Sequence, residues 1–131
     1  ITLREGSEIT IVANGTMVYH SLEAAKLLES EGISSKVVNM HTIKPLDTSV
    51  IDKAIESSKL IVSVEEHSII GGLGGAIAEY KAQFQNVPPQ LTIGLPDRFG
   101  KVGEHSYLLD KYGLTAKKIS DSITKRYRDL S

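Results

Sequence analysis

The sequence predicts an α/β domain, a mostly parallel sheet covered by helices on both sides, and two observations favour this fold. Apolar runs rich in β-branched residues alternate from end to end with segments whose apolar residues recur at helical spacing. That alternation is typical of βαβ units with right-handed crossovers. The 131 residues contain no linker, repeat or low-complexity tract. We therefore predict one three-layer α/β/α domain over residues 1–131.

The strands are predicted from short apolar runs that end at turn residues. Their β-branched content suits buried strands. A short and weaker β-like segment is expected at the amino end, before Glu5-Gly6. The predicted strands cover residues 1–4, 8–13, 35–40, 60–64 and 90–94.

The helices are predicted from apolar spacing and from capping residues. Thr16 is the expected N-cap of the first helix and Gly32 its C-terminal cap, while Asp47 is expected to cap the second. A third helix should start near Gly72, with an apolar stripe at Leu73, Ile77, Tyr80 and Phe84. A short helical segment is expected at 104–111. The last helix should bury Ala116, Ile119, Ile123, Tyr127 and Leu130.

Composition excludes several classes of protein. The chain has no cysteine, which rules out disulfides and thiolate metal sites. Fifteen basic and sixteen acidic residues give a net charge of −1, so no nucleic-acid-binding surface is indicated. No apolar run is long enough to span a membrane, and we expect a cytoplasmic protein. Because the chain begins at Ile1, we expect a trimmed chain or a piece of a longer polypeptide.

The carboxyl edge of the predicted sheet is where a binding site would lie. In a parallel α/β sheet, ligands bind beyond the strand carboxyl ends, where the strand order reverses. The loops at Asn14, His41, Glu65 and Leu95 all lie at that edge. In the stretch from 60 to 79 an apolar run ends in two carboxylates and a histidine, and a glycine cluster follows, so we expect any chemistry to lie there.

A glycine cluster opens the third predicted helix. Backbone amides at a helix start can hold an anion, which makes phosphate binding one interpretation. The cluster does not fit G-x-G-x-x-G, because Ile77 stands where the third glycine belongs, and no P-loop is present. The favoured interpretation is that the glycines let the helix start press against a neighbouring backbone. The cluster consists of Gly71, Gly72, Gly74 and Gly75.

Glu65-Glu66-His67 follows the predicted strand and could be an acid/base group. Neighbours on an extended segment point to opposite sides, so only Glu65 and His67 could share a face. We favour a polar strand end exposed to solvent or to a partner subunit. The four histidines lack metal-ligand spacing, and no serine-nucleophile elbow exists. These residues alone do not specify a complete active site.

Six motifs, in order over nearly the whole chain, resemble the C-terminal domain of transketolase-type thiamine diphosphate enzymes. The chain most resembles the C-terminal subunit of a split transketolase, whose catalytic unit is divided between an N-terminal and a C-terminal subunit. The motifs are Arg4-Glu5-Gly6, Ala13-Asn14-Gly15-Thr16, residues 42–47 (TIKPLD), residues 64–67 (VEEH) with 71–74 (GGLG), residues 95–99 (LPDRF) and residues 112–115 (YGLT).

The resemblance implies a five-stranded sheet whose first, short strand is antiparallel to the other four. It also implies a complete enzyme that transfers a ketol unit between sugar phosphates, as in the pentose phosphate pathway, using thiamine diphosphate and Mg²⁺. In this family a G-D-G motif in the N-terminal domain holds the cofactor, and a middle-domain glutamate activates it. This chain has no G-D-G. We therefore assign no catalytic, cofactor-binding or metal-binding residue, and expect the isolated domain to bind no cofactor and to be inactive.

The implied partners are the thiamine diphosphate-binding and pyrimidine-binding domains of the same enzyme. The resemblance also implies a homodimer, or a hetero-oligomer with an N-terminal subunit. It implies no binding to nucleic acid or to a membrane. We predict an interface or active-site-supporting role for Glu65, Glu66, His67, Gly71, Gly72 and Gly74. Two alternatives remain: a related thiamine enzyme (a 2-oxo acid dehydrogenase β subunit or deoxyxylulose-phosphate synthase), or a stand-alone module that binds a phosphorylated ligand.

Overall fold

A computed structural model describes residues 1–41, 45–68, 72–95 and 114–130, and describes the backbone but not the side chains of residues 67, 68 and 95. These residues form five strands and four helices. In chain order they are β1 (Thr2–Arg4), β2 (Ile9–Ala13), α1 (Met17–Ser30), β3 (Ser35–Asn39), α2 (Thr48–Ser57), β4 (Leu60–Ser68), α3 (Leu73–Lys81), β5 (Gln90–Leu95) and α4 (Ala116–Arg128).

The five strands form one mixed sheet in the order β1-β3-β2-β4-β5. β2 pairs in parallel with both β3 and β4, and β5 pairs in parallel with β4. Only β1 is antiparallel, and it lies at the edge against β3. The predicted architecture, including the antiparallel first strand, is therefore confirmed.

Helices cover both faces of the sheet, each over its own apolar core. α1 and α4 pack on one face, where Ile11 and Val62 meet Leu28 and Ile119. α2 and α3 pack on the other face, over a smaller core of residues from several elements. That second core consists of Val12, Met40, Ile51, Ala54, Ile61, Leu73 and Ile77. These are the three layers that the alternating pattern predicts.

β4 is longer than the prediction, which ended it at residue 64. It runs to Ser68, because pairing with β5 resumes at Ser68 and Leu95 after a register shift beyond Val64. Glu65, Glu66 and His67 therefore belong to the strand itself. Their polar side chains conceal the strand in the sequence, since β-propensity measures packing more than backbone preference.

The predicted apolar stripes are wrong at two positions. Phe84 and Leu130 lie beyond the ends of α3 and α4, and are 43% and 41% exposed. The predicted helix at 104–111 lies outside the residues that the structure describes, as do residues 42–44, residues 96–99 of the 95–99 motif and the first half of the 112–115 motif.

Capping follows the sequence prediction at two helix ends and departs from it at a third. The Asp47 carboxylate accepts from the Ser49 amide at the start of α2. Gly32, at φ +79°, ends α1, where the Gly32 and Ile33 amides return to the carbonyls of Glu29 and Leu28. Thr16 occupies the N-cap position of α1, but its side chain makes no capping bond.

Candidate functional site

The order of the sheet reverses between β2 and β4, which lie side by side at its centre. After β2 the chain turns into α1 on one face, and after β4 into α3 on the other. In parallel α/β sheets this arrangement leaves a crevice at the strand carboxyl ends, where binding sites lie. Glu65 and Glu66, at the carboxyl end of β4, lie at this position.

Glu65 is a fully buried carboxylate. Its two oxygens accept hydrogen bonds from the backbone amides of Leu73 and Gly74, each at 2.8 Å. These are amides of the first turn of α3, which have no partner within the helix. A negative charge there is also favoured by the helix dipole. The carboxylate thus satisfies two amides, and the two amides offset its removal from water.

The predicted solvent exposure of this strand end is therefore wrong for Glu65. The acid points inward because residue 65 shares its face of β4 with Ile61 and Ser63, toward α3. The amides proposed for an external phosphate at the glycine cluster are, at Leu73 and Gly74, already occupied by the chain's own carboxylate.

Gly74 lies where the helix start presses against the sheet. A Cβ at this position would come within 2.6 Å of Thr92 Cγ2 and 2.8 Å of Ser63 Oγ, closer than real Cβ contacts. The side-chain amide of Gln90 also donates a hydrogen bond of 2.9 Å to the Gly74 carbonyl. A Cβ at Gly75, by contrast, would meet nothing within 4 Å. The predicted close approach is therefore present at Gly74, but against the side chains of Thr92 and Ser63 and not against a backbone, and it is absent at Gly75.

Glu66 points to the opposite face from Glu65, as predicted for neighbours in a strand. Its carboxylate accepts a hydrogen bond of 2.6 Å from the Thr16 hydroxyl, at the start of α1. This contact joins the ends of β2 and β4 across the reversal point. It also explains why Thr16 does not cap α1: its hydroxyl is directed to the neighbouring strand instead.

The remaining predicted site residues are only partly described. Gly72 is the N-cap residue of α3 at φ −96°, a value open to any residue. His67 belongs to β4, but its side chain is outside the described part, and so is all of Gly71. The structure thus brings Glu65, Gly72 and Gly74 together and places Glu66 on the other face.

Sequence reasoning missed two buried polar residues, Lys81 at the end of α3 and Ser63 on the strand beneath it. Lys81 is 7% exposed, and burial lowers the pKa of its ammonium group. Its Nζ lies 3.5 Å from Gln90 Oε1. Ser63 is fully buried, and its hydroxyl has no hydrogen-bond partner among the described residues. The sequence does carry a signal for Ser63: Ser63 and Glu65 are alternate residues that interrupt an apolar strand, so they lie on the same face of it.

The described part of the chain offers neither a metal site nor a membrane-spanning helix. No cluster of three or more His, Asp or Glu side chains there could hold a metal ion. Within the same residues, no helix is long and apolar enough to cross a membrane. At the carboxyl edge, Glu65 binds the start of α3 and Glu66 binds Thr16 at the start of α1.

Comparison with known proteins gives a consistent result. The sequence model of the family described as "Transketolase, C-terminal domain" matches residues 1–119. A 1-deoxy-D-xylulose-5-phosphate synthase from Chlorobium luteolum is 44% identical over 126 residues, which are 96% of this chain and 20% of that protein. The 6-deoxy-6-sulfo-D-fructose transketolase subunit SqwH from a Clostridium species is 44% identical over 128 residues, 95% of this chain and 39% of the relative.

Solved structures agree with these relatives. A protein described as "Split gene transketolase, inactive beta4 tetramer" superposes with a TM-score of 0.87 at 42% identity, over 95% of this chain and 41% of that one. The Campylobacter jejuni transketolase shares the fold at a TM-score of 0.68 and 19% identity, over 95% of this chain and 18% of its own. This chain spans about a fifth to two fifths of the curated relatives described here.

Proposed function

Because this chain belongs to the transketolase C-terminal domain family, we propose that it is the assembly-supporting domain of a thiamine diphosphate-dependent transferase. The observation that carries this proposal is that the backbone amides at the carboxyl edge of the sheet are bound by the chain's own carboxylate. Glu65 occupies the Leu73 and Gly74 amides, so these groups build the fold instead of receiving a ligand. The edge is a rigid surface for neighbouring domains, and chemistry takes place elsewhere in the complete enzyme.

The proposed reaction of the complete enzyme is ketol transfer between sugar phosphates, as in the pentose phosphate pathway. The similarity to a split-gene transketolase and to a transketolase subunit supports it. When bound, thiamine diphosphate would supply the electron sink for this reaction. The residues at the carboxyl edge do not fit that cofactor: Glu66 adds a negative charge there, and the Leu73 and Gly74 amides already have Glu65 as their partner. We therefore place the cofactor and its Mg²⁺ in other domains.

The proposed partners are the domains that hold the diphosphate and the pyrimidine ring. They belong either to a longer chain or to an N-terminal subunit. The tetramer named for the split-gene neighbour supports an oligomer built around this kind of chain. A dimer interface and a cytoplasmic location complete the proposal.

A second candidate is 1-deoxy-D-xylulose-5-phosphate synthase. The 44% identity to such an enzyme equals the identity to the transketolase subunit, so this domain alone does not favour either substrate. The stand-alone phosphate module is the weaker alternative, because Glu65 already fills the best anion position at the glycine cluster.

The test is a comparison of the complete enzyme with this chain alone. The complete enzyme should transfer a two-carbon unit from a ketose phosphate to an aldose phosphate. This chain alone should show neither that activity nor thiamine diphosphate binding by calorimetry. Formation of 1-deoxy-D-xylulose 5-phosphate in place of ketol transfer would identify the second candidate. Micromolar binding of the cofactor to the isolated chain would contradict the assembly role.

A further inference from the structure

We propose that the start of α3 is an anion-binding position that the chain fills with its own Glu65, and that Glu65 is thereby a positioning residue of the complete enzyme. The second half of this inference rests on the proposed function. Glu65 would touch neither substrate nor cofactor. It would act by holding α3 in place against β4 at the edge of the sheet where the other domains pack.

The geometry of the position is that of a bound anion. Two successive amides at the first turn of a helix converge on two oxygens of one carboxylate, each at 2.8 Å. External carboxylates and phosphates are bound at helix starts in the same way. Because Glu65 is fully buried, no water competes for these amides. The site is therefore built for an anion, and the ligand is internal.

A second observation is that another buried polar group lies close to the same helix start. The fully buried Ser63 hydroxyl lies on the same face of β4, toward Gly74, and lacks a partner among the described residues. Buried hydroxyls are normally hydrogen-bonded, so an orphan one is unusual. Removing the Glu65 side chain beyond Cβ would leave two helix amides without a partner and a cavity that suits a small anion, with this hydroxyl close to Gly74, one of the two amide donors.

The effect on the rest of the enzyme follows from Glu66. Its carboxylate holds Thr16, next to the first turn of α1, on the opposite face of the sheet. Two consecutive residues of β4 thus fix the starts of the helices on both sides of the crevice. Loss of either contact should change the shape of the edge, but only the Glu65 contact is buried and can be replaced by an added anion.

The first experiment tests the anion position by chemical rescue. In Glu65→Ala, sodium formate at about 0.2 M should raise the melting temperature by roughly 3 to 8 °C above an equal concentration of sodium chloride. Wild type should show no difference between the salts. Glu65→Gln also removes the charge but fills the space, so it should not respond to formate.

This experiment remains decisive if Glu65→Ala does not fold. Recovery of its cooperative melt in formate would support the proposal as strongly as a shift would. An equal response to formate and chloride, or no folding in either while Glu65→Gln folds, would overturn it. Amide NMR gives an independent readout, because formate should move the Leu73 and Gly74 amide signals of the Ala variant.

The second experiment tests positioning in the complete enzyme. Glu65→Ala should lower kcat roughly 10- to 100-fold, as misplacement remote from the chemistry can do, and leave KM near its original value. Formate should restore part of kcat, and the exposed Glu79→Ala is the matched control. Formate rescue of the melt together with an unchanged kcat in Glu65→Ala would overturn the positioning role. Absence of ketol transfer in the wild-type enzyme would instead contradict the proposed function and leave the anion position standing.

Discussion

The two faces of the sheet are held by different physical means. The α1/α4 face is packed mainly with apolar side chains, and the buried polar residues of its two helices, Ser21 and Ser120, are small. Its charged contacts lie at the rim, where Tyr127 donates to Glu8 and Arg128 pairs with Glu31. The α2/α3 face has a smaller apolar core and encloses polar groups. They include Ser63, Glu65 and Lys81, and the partly buried Gln90 contacts Lys81 and the Gly74 carbonyl.

The two faces therefore differ in how strongly they fix the orientation of their helices. The free energy of burying apolar surface does not depend on direction, whereas hydrogen bonds to a buried carboxylate weaken steeply with misalignment. The face that carries α3 is therefore fixed in orientation, at some expense in buried apolar area. We conclude that the α1/α4 face contributes most to stability and that the α2/α3 face fixes the geometry of the carboxyl edge.

The largest expected loss of stability is on the apolar face. Ile119→Ala removes a fully buried side chain between α4 and the sheet, and should lower the free energy of unfolding by about 2 to 5 kcal/mol. Urea denaturation measures this, with the exposed Ser122→Ala on the same helix as control. A loss close to that of the control would show that α4 is peripheral, and the comparison of the two faces would then fail.

The second-largest expected loss of stability comes from the close approach of Gly74 to Thr92 and Ser63 on the α2/α3 face. Gly74→Ala places a Cβ against Thr92 and Ser63, and should destabilise by about 1 to 3 kcal/mol despite the better helix propensity of alanine. Gly75→Ala is the matched control, since its Cβ meets no atom within 4 Å. The control should be neutral or stabilising by up to about 1 kcal/mol. Equal melting temperatures for the two variants would refute the close approach.

The smallest effect concerns the rim of the apolar face. Tyr127→Phe removes a hydrogen bond to the Glu8 carboxylate and should lower the free energy of unfolding by about 0.5 to 1.5 kcal/mol near neutral pH. The Tyr127 hydroxyl, followed by the Ser34 amide, lowers the pKa of Glu8. Chemical denaturation at several pH values measures both effects.

The sign of the pH dependence follows from that lowered pKa. A carboxyl group with a lower pKa in the folded state adds stability above its unfolded pKa, and the addition is lost as the pH falls through the folded pKa. The wild type should therefore lose more stability than Tyr127→Phe between neutral pH and pH values below the ordinary glutamate pKa, about 4.3. Parallel pH profiles for the two proteins would contradict this assignment.

Local signals in the sequence predict most of the fold. The strand cores, the Asp47 cap and the Gly32 ending each depend on residues close together in the chain, so pattern and propensity suffice to find them. The upper part of β4 was missed because Glu65, Glu66 and His67 have no apolar pattern. Only the pairing with β5, brought alongside by the fold, reveals that segment as strand.

The site was predictable in place but not in role. Strand order and polar residues indicate the carboxyl edge, and alternation predicts that Glu65 and Glu66 diverge. That Glu65 meets Leu73 and Gly74 depends on how β4 and α3 pack, and Glu66 meets Thr16 across 50 positions of sequence. Such partners are set by the tertiary structure, and a single sequence carries no direct signal of them.

The position of α4 has a consequence for how the chain folds during synthesis. Its Ile119 and Ile123 complete the core around Ile9 and Ile11, residues that leave the ribosome more than a hundred positions earlier. Contacts this distant in sequence slow folding, because a long loop must close before they form. Until α4 emerges, the part of this core that α4 covers beside α1 stays exposed. A nascent chain stalled before residue 116 should therefore be a good substrate for chaperones that bind exposed apolar helices.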